Sequence, residues 1–253
     1  MRARHGSALL AVVAGVLMPL CARAQVPFPS VLDRITAVRE SSALLAPAPG
    51  GTCVEFGDME LFGIAGLRLS GMRAGTRVGG LPVGVEVCRI GAPVGSQTRA
   101  TLRVGVASAR WRIAVRAGVE SLALTGAAGE SAVVTALVSG VALGGVTITA
   151  DMESLAGGTG RDVFMTMALA GPVGGRARVL ACMRYDGPGA LAAGVAAVVP
   201  VHRALALLAG YDDGSETARV GATVTARRWV VSTGAFRHAV LGMSQGVSLS
   251  VAW

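Results

Sequence analysis

Between residues 81 and 253 the chain alternates apolar and polar positions in short runs, and the clearest run sets two faces side by side. Trp111, Ile113, Val115, Ala117 and Val119 interleave with Arg112, Ala114, Arg116, Gly118 and Glu120, a period of two that predicts a β-strand with one greasy and one charged face. Val146, Ile148, Ala150 and Met152 stand in the same way against Thr147, Thr149, Asp151 and Glu153. Twelve such segments are expected, at 81–90, 98–109, 111–125, 131–143, 146–155, 163–170, 176–186, 190–200, 204–212, 217–227, 229–238 and 244–253, joined by Gly-rich or charged turns.

Alternation alone also fits a soluble, exported β-sandwich binding protein, and hydropathy separates the two. The mean hydropathy is +0.59 with 52% hydrophobic residues, yet no uninterrupted apolar span reaches the ~20 residues of a membrane helix. Ser131–Ile148 is broken by Thr135, Ser139 and Gly144-Gly145, and Ala190–Leu208 by Pro200, His202 and Arg203. Ala190–Val199 and Ala204–Ala209 also lack the polar face a sandwich strand needs. The pattern therefore predicts an all-β fold, an antiparallel up-and-down transmembrane β-barrel.

An arginine facing lipid at mid-bilayer costs about 2–4 kcal/mol, so the charged faces are expected to look into the barrel. Arg112, Arg116, Arg176, Arg178, Arg184 and Arg219 then line the lumen, with Glu120 as counter-charge to Arg112 and Arg116, and with Asp151 and Glu153 on the same inner surface. An open positive lumen favours anions. If the carboxylates pair with the arginines, the same residues neutralise a packed interior instead.

With the last strand running toward the periplasm, counting back assigns every earlier direction. Trp111, Trp229 and Trp253 then fall at the periplasmic rim and Tyr185 and Tyr211 at the outer one, the boundary positions amphipathic rings prefer. Arg110, Gly144-Gly145, Gly171–Gly175, Val201–Arg203 and Arg227-Arg228 become periplasmic turns. Gly91–Gln97, Gly126–Glu130, Ala156–Asp162, Gly187–Gly189, Asp213–Glu216 and Ala239–Met243 become outer ones.

Residues 1–24 read as a signal peptide, with Arg2 and Arg4, an apolar run Leu9–Leu20 and Ala22-Arg23-Ala24 before the cut. Residues 25–51 form a separate helical or extended segment in which prolines bracket an amphipathic helix over Val31–Leu45, a candidate plug. The barrel is assigned to 52–253, where Thr52–Gly80 is expected to add one or two strands or a short helix, for a total of about 12–14 strands. The closing run Val247, Leu249, Val251 and Trp253 resembles the carboxy-terminal signal read by the barrel-assembly machinery. The expected location is the bacterial outer membrane, with outer-membrane lipid as a partner.

Composition narrows the chemistry further. The formal charge of +8 is carried by arginines spread through apolar segments rather than clustered with aromatics, which argues against nucleic acid. Cys53, Cys88 and Cys182 have no CxxC spacing for a metal or redox site and read as small apolar fillers. Gly242-Met243-Ser244-Gln245-Gly246 matches G-x-S-x-G, but no Asp, Glu or His follows it to complete a triad. His202 and His238 are too few for a metal site. Asp186, Asp212, Asp213 and Glu216 read as solvated outer loops or a cation cluster. Neither catalysis nor a cofactor is expected.

The carboxy-terminal third resembles a known group, the PorV and PorQ-like barrels related to the FadL transporters. The resemblance lies in Gly210-Tyr211, in Ala218-Arg219-Val220-Gly221, and in His238–Gln245 leading into Val247–Val251, with Phe56-Gly57-Asp58-Met59-Glu60-Leu61 similar to the group's early segment. It implies an outer-membrane barrel that transports small or hydrophobic solutes or serves an envelope or type IX-like secretion complex. The alternative function on the same fold is a structural barrel that transports nothing.

Overall fold

The computed structural model describes residues 52–253 apart from 109, 127–128, 158–159, 174–176, 187–190 and 214–216. The signal peptide and the 25–51 segment lie outside the described residues.

Fourteen strands run in chain order: β1 (Cys53–Glu60), β2 (Arg68–Val78), β3 (Leu81–Ala92), β4 (Gly95–Ala107), β5 (Trp111–Leu124), β6 (Glu130–Leu143), β7 (Val146–Gly157), β8 (Gly160–Val173), β9 (Ala177–Asp186), β10 (Leu191–His202), β11 (Leu205–Asp212), β12 (Thr217–Ala226), β13 (Trp229–His238) and β14 (Gly242–Ala252). Each pairs antiparallel with its sequence neighbours, and β1 pairs with β14, from Cys53 opposite Ala252 to Glu60 opposite Gln245. The sheet is closed. Closure leaves no unpaired edge, which is what a wall without access to water requires of its backbone. It also excludes the sandwich, whose two sheets would each keep their edges.

The alternation is continuous around the wall. On β5, Trp111, Ile113, Val115 and Val119 are exposed on the outer surface, while Ala114, Glu120 and Leu122 are buried on the inner one. The outer surface continues through Val85, Leu102, Leu137, Met152, Leu169, Val195, Leu207, Val220, Val231 and Leu249, all exposed. Large apolar side chains therefore cover the outside, whereas the inside mixes small, polar and charged residues with buried apolar ones such as Val134, Leu155 and Phe164, an arrangement unlike that of a water-soluble domain.

Several expected turns are tighter than the glycine content suggested. Gly91, Gly95–Gln97 and Gly171–Val173 belong to paired strands, because a strand glycine keeps its ladder hydrogen bonds. β3 and β4 are joined by only 93–94, β8 and β9 by 174–176, and β10 and β11 by 203–204. Gly79-Gly80 and Gly144-Gly145 form two-residue turns with φ of 58° and 85°, and 56° and 90°, a left-handed backbone that glycine adopts without steric cost. Connections at the rim holding Thr52 and Trp253, here the terminal rim, span two or three residues. At the opposite rim the longest is 61–67.

Candidate functional site: the inner wall

The inward positions of β4 to β7 carry a chain of ion pairs. Gln97 Nε2 donates to Glu120 Oε1 at 2.6 Å, and Arg99 bonds Glu120 Oε2 at 2.6 and 2.8 Å and Glu153 Oε1 at 2.8 Å. Arg116 then binds Glu153 at 2.6 Å and Asp151 at 3.2 Å. The side chains of Arg99, Glu120 and Glu153 are 8–9% exposed, so this is a buried network rather than a solvated surface. Small residues make it reachable: Ala136 lies between Arg116 and Glu153 in the strand register. Its methyl lets the guanidinium pass across β6 to the far carboxylate.

Two further pairs stand on the inner wall. Arg73 holds Glu55 at 2.6 and 2.8 Å between β2 and β1, and Arg219 lies 3.6 Å from Asp212 between β12 and β11. The expected lumen set is thus placed as follows. Arg112, Arg116, Glu120, Asp151, Glu153 and Arg219 face inward, and Arg178 shares the inward parity of Leu180 but is exposed at the terminal rim. Arg184 is placed by its backbone, opposite Thr166 and Ala192. Arg176 lies outside the described residues. Glu120 is not the counter-charge of Arg116; its partners are Arg99 and Gln97 on the neighbouring strand, in direct register with it through Arg99.

Sequence reasoning missed Arg99, Gln97, Arg103, Arg73 and Glu55. The signal was present: Gln97, Arg99, Thr101, Arg103 and Gly105 alternate with Thr98, Ala100, Leu102 and Val104, the same two-faced pattern as on β5. Counting inward charges among the described residues, Arg73, Arg77, Arg99, Arg103, Arg112, Arg116, Arg178 and Arg219 stand with Glu55, Glu86, Glu120, Glu130, Asp151, Glu153 and Asp212. Eight against seven leaves the wall near neutral, without the strong positive bias that a count of arginines alone implies.

At the opposite rim the interior turns apolar. The 61–67 connection folds inward, and Leu61 and Leu67 pack with Met59, Leu69, Cys88 and Phe236, with Phe62, Ile64 and Ile90 against them. Three short backbone hydrogen bonds, from Leu61 N to Leu67 O, Ile64 N to Leu61 O and Leu67 N to Ile64 O, make it compact. Phe62 stands edge-on to Phe236 at 6.2 Å and to His238 at 6.0 Å, and its N–H donates to Ser244 Oγ at 2.7 Å.

That bond accounts for the G-x-S-x-G segment. Ser244 is 1% exposed on β14, with a strand rather than a helix after it, and it serves as the acceptor that seats the mouth loop. His238 and His202 accept turn N–H groups through Nδ1, from Val240, Leu241 and Ala204. Asp213 accepts the Ala193 N–H at 2.5 Å, and no group of three potential metal ligands occurs among the described residues. Cys53, Cys88 and Cys182 are not joined in disulfides to one another, and Cys88 Sγ donates to Glu86 Oε1 at 3.3 Å.

Trp111, Trp229 and Trp253 stand exposed on the outer surface at the terminal rim, and Tyr185 and Tyr211 at the opposite rim. Val247, Leu249, Val251 and Trp253 share the outer face of β14, where the first three lie opposite Asp58, Phe56 and Val54 of β1.

The chain is similar in outline to solved porins. A KdgM porin aligns with a TM-score of 0.49 and 8% identity over 79% of this chain and 99% of its own. A mutant of the Rh. blastica porin aligns with a TM-score of 0.46 and 11% identity over 80% of this chain and 99% of its own. No family model and no curated protein matches the chain. The closed register carries the barrel by itself, and none of these similarities shows the PorV and PorQ-like group.

Proposed function

We propose that the protein is an outer-membrane channel whose lumen passes small solutes between a charged wall on β4–β7 and a wall of small residues on β10–β14. The observation that carries this reading is the closed fourteen-strand register with an apolar outside and a polar, ion-paired inside. Fourteen strands about 4.8 Å apart and tilted by about 40° give a backbone diameter of roughly 28 Å, so two layers of inward side chains leave about 15 Å between them. Eight-strand barrels fill with side chains and barrels of sixteen or more hold water, and fourteen lies toward the open end. The facing wall carries small residues at Gly194, Ala196, Gly210, Gly221, Ser232, Ser244 and Ser248, of which Ser232, Ser244 and Ser248 are 1–2% exposed and lie under neighbouring side chains.

The near balance of inward charge favours weak ion selectivity. The test is reconstitution of the folded barrel into planar bilayers under a salt gradient. Discrete conductance steps with a reversal potential close to zero are expected. Absence of steps from barrels shown to be folded by faster gel migration before boiling would reject transport of small solutes.

A structural barrel is the second reading, and the apolar 61–67 cluster favours it because it narrows the mouth. Replacing Phe62 by Ala separates the two: conductance that rises identifies a constricted channel, and silence in both proteins identifies a closed barrel. A place in an envelope or secretion complex would follow from the PorV and PorQ-like resemblance. Its longest stretch, His238–Gln245, builds the β13–β14 turn and opens β14, elements any such wall needs, so that role is tested only by co-purification from native envelopes.

A further inference from the structure

The two rims differ in charge. At the terminal rim Arg77, Arg110, Arg178, Arg203, Arg227 and Arg228 are all exposed, and the chain places no Asp or Glu in the turns there or in the last two strand positions beside them. Apart from Glu55, third from the terminal end of β1 and paired with Arg73, the carboxylates sit at mid-wall or toward the opposite rim, where Asp58, Glu60, Glu130, Asp212 and Asp213 are found. The same terminal rim carries the three tryptophans. Arg110 precedes Trp111 and Arg228 precedes Trp229, each at the start of a strand leaving that rim, and Trp253 ends the adjoining strand, with Ala252 N bonded to Arg228 O at 3.0 Å.

The β12–β13 turn is where this arrangement costs most. Arg227 takes φ of 53°, a left-handed backbone that glycine fills at Gly79 and Gly144 in the corresponding turns. A side chain there is strained by roughly 1 kcal/mol, so Arg-Arg occupies a turn whose geometry alone would select glycine.

We propose that the terminal rim binds the phosphate headgroups of anionic phospholipids, with Arg227 and Arg228 between Trp229 and Trp253 as its strongest point. The inference rests on the barrel lying in a membrane. Exposed tryptophans fix the level of the lipid boundary on the outer surface, and the arginines one residue beyond them stand at the level of the phosphates. Guanidinium matches phosphate with two parallel N–H donors, and basic side chains at an anionic membrane surface add attraction residue by residue.

The experiment uses the full mature barrel in mixed detergent–lipid micelles, with bound phosphatidylglycerol and phosphatidylcholine counted by native mass spectrometry and folding verified on the same samples by unheated gel migration. The native protein is expected to retain phosphatidylglycerol preferentially. The Arg227→Gly, Arg228→Ser pair should weaken that preference roughly thirty-fold, at about fivefold per arginine, while the barrel stays folded because glycine relieves the turn. Equal retention of the two lipids by a folded native barrel overturns the proposal. So does an unchanged preference in the double variant, or a preference lost instead on replacing Arg68, Arg89 and Arg237 near the opposite rim. A chain that never shows folded migration refutes the membrane barrel itself, a different failure from loss of lipid preference.

Discussion

Replacing Arg99 by Met tests whether the inner wall is held by buried pairing or merely decorated with charge. Arg99 joins Glu120 and Glu153, at 2.6 and 2.8 Å, and all three side chains are 8–9% exposed. Met keeps much of the stem but leaves two carboxylates facing each other without the guanidinium. Removing one member of a buried pair costs about 3–5 kcal/mol, because the partner keeps its desolvation penalty and loses its attraction. An exposed pair would cost under ~1 kcal/mol. Urea unfolding of vesicle-folded barrel, followed by the fluorescence of Trp111, Trp229 and Trp253, measures the difference. The decisive comparison adds Glu120→Gln. In the native background this removes a charge that Arg99 and Gln97 hold, and it should destabilise. In the Arg99→Met background it removes a stranded carboxylate, and it should be neutral or stabilising. The two changes should therefore couple by about 1–3 kcal/mol. Additivity within about 0.5 kcal/mol, or a loss below 1 kcal/mol for Arg99→Met, would refute the network.

Two further outcomes follow from the assignment of faces and from the mouth loop. Val115→Arg, on the outer surface near the middle of β5, should cost about 2–4 kcal/mol in the same titration, whereas Thr166→Arg, inward and opposite Asp151, should be tolerated; equal costs would overturn the division into lipid and lumen faces. Ser244→Ala deprives the Phe62 N–H of its acceptor and should lower stability by about 1–3 kcal/mol, with faster proteolysis at 61–67, and an unchanged cleavage rate would show that this bond does not seat the loop.

The wall was legible because its signal is local. A period of two on β5 and β7 reads directly as two faces, and the cost of arginine in lipid decides which face turns inward. Pairing across the lumen side was not legible to the same degree. Arg116 reaches Glu153 over Ala136, a contact set by the register of three strands, whereas a sequence reading sees Glu120 on the same strand and matches it first. The mouth was missed for another reason. Residues 61–67 have neither period two nor a charged turn, and their apolar character makes sense only once Met59, Leu69, Cys88 and Phe236 from four strands meet above the lumen. Strand ends differ from the glycine-based expectation at Gly91 and Gly95, which the closed ladder carries without interruption.

Taken together, the charges divide by whether they have a partner. On β4–β7 guanidinium and carboxylate alternate along one chain, Glu120–Arg99–Glu153–Arg116–Asp151, so each charge has an opposite partner within hydrogen-bond distance, and Arg103 on β4 offsets the third carboxylate. At the terminal rim no Asp or Glu stands in the turns or in the last two strand positions beside them, and an exposed cationic ring exerts its field outward over about a Debye length, some 10 Å at 0.1 M salt. The inner wall is therefore close to neutral in charge, while anything approaching the terminal rim meets concentrated positive charge. The same residue type does opposite things in the two places: in the wall it is a structural cross-link whose removal strands an anion, and at the rim it is a free donor for phosphate. This division shows how residues 52–253, in which 18 arginines outnumber 13 carboxylates, can enclose a nearly balanced interior.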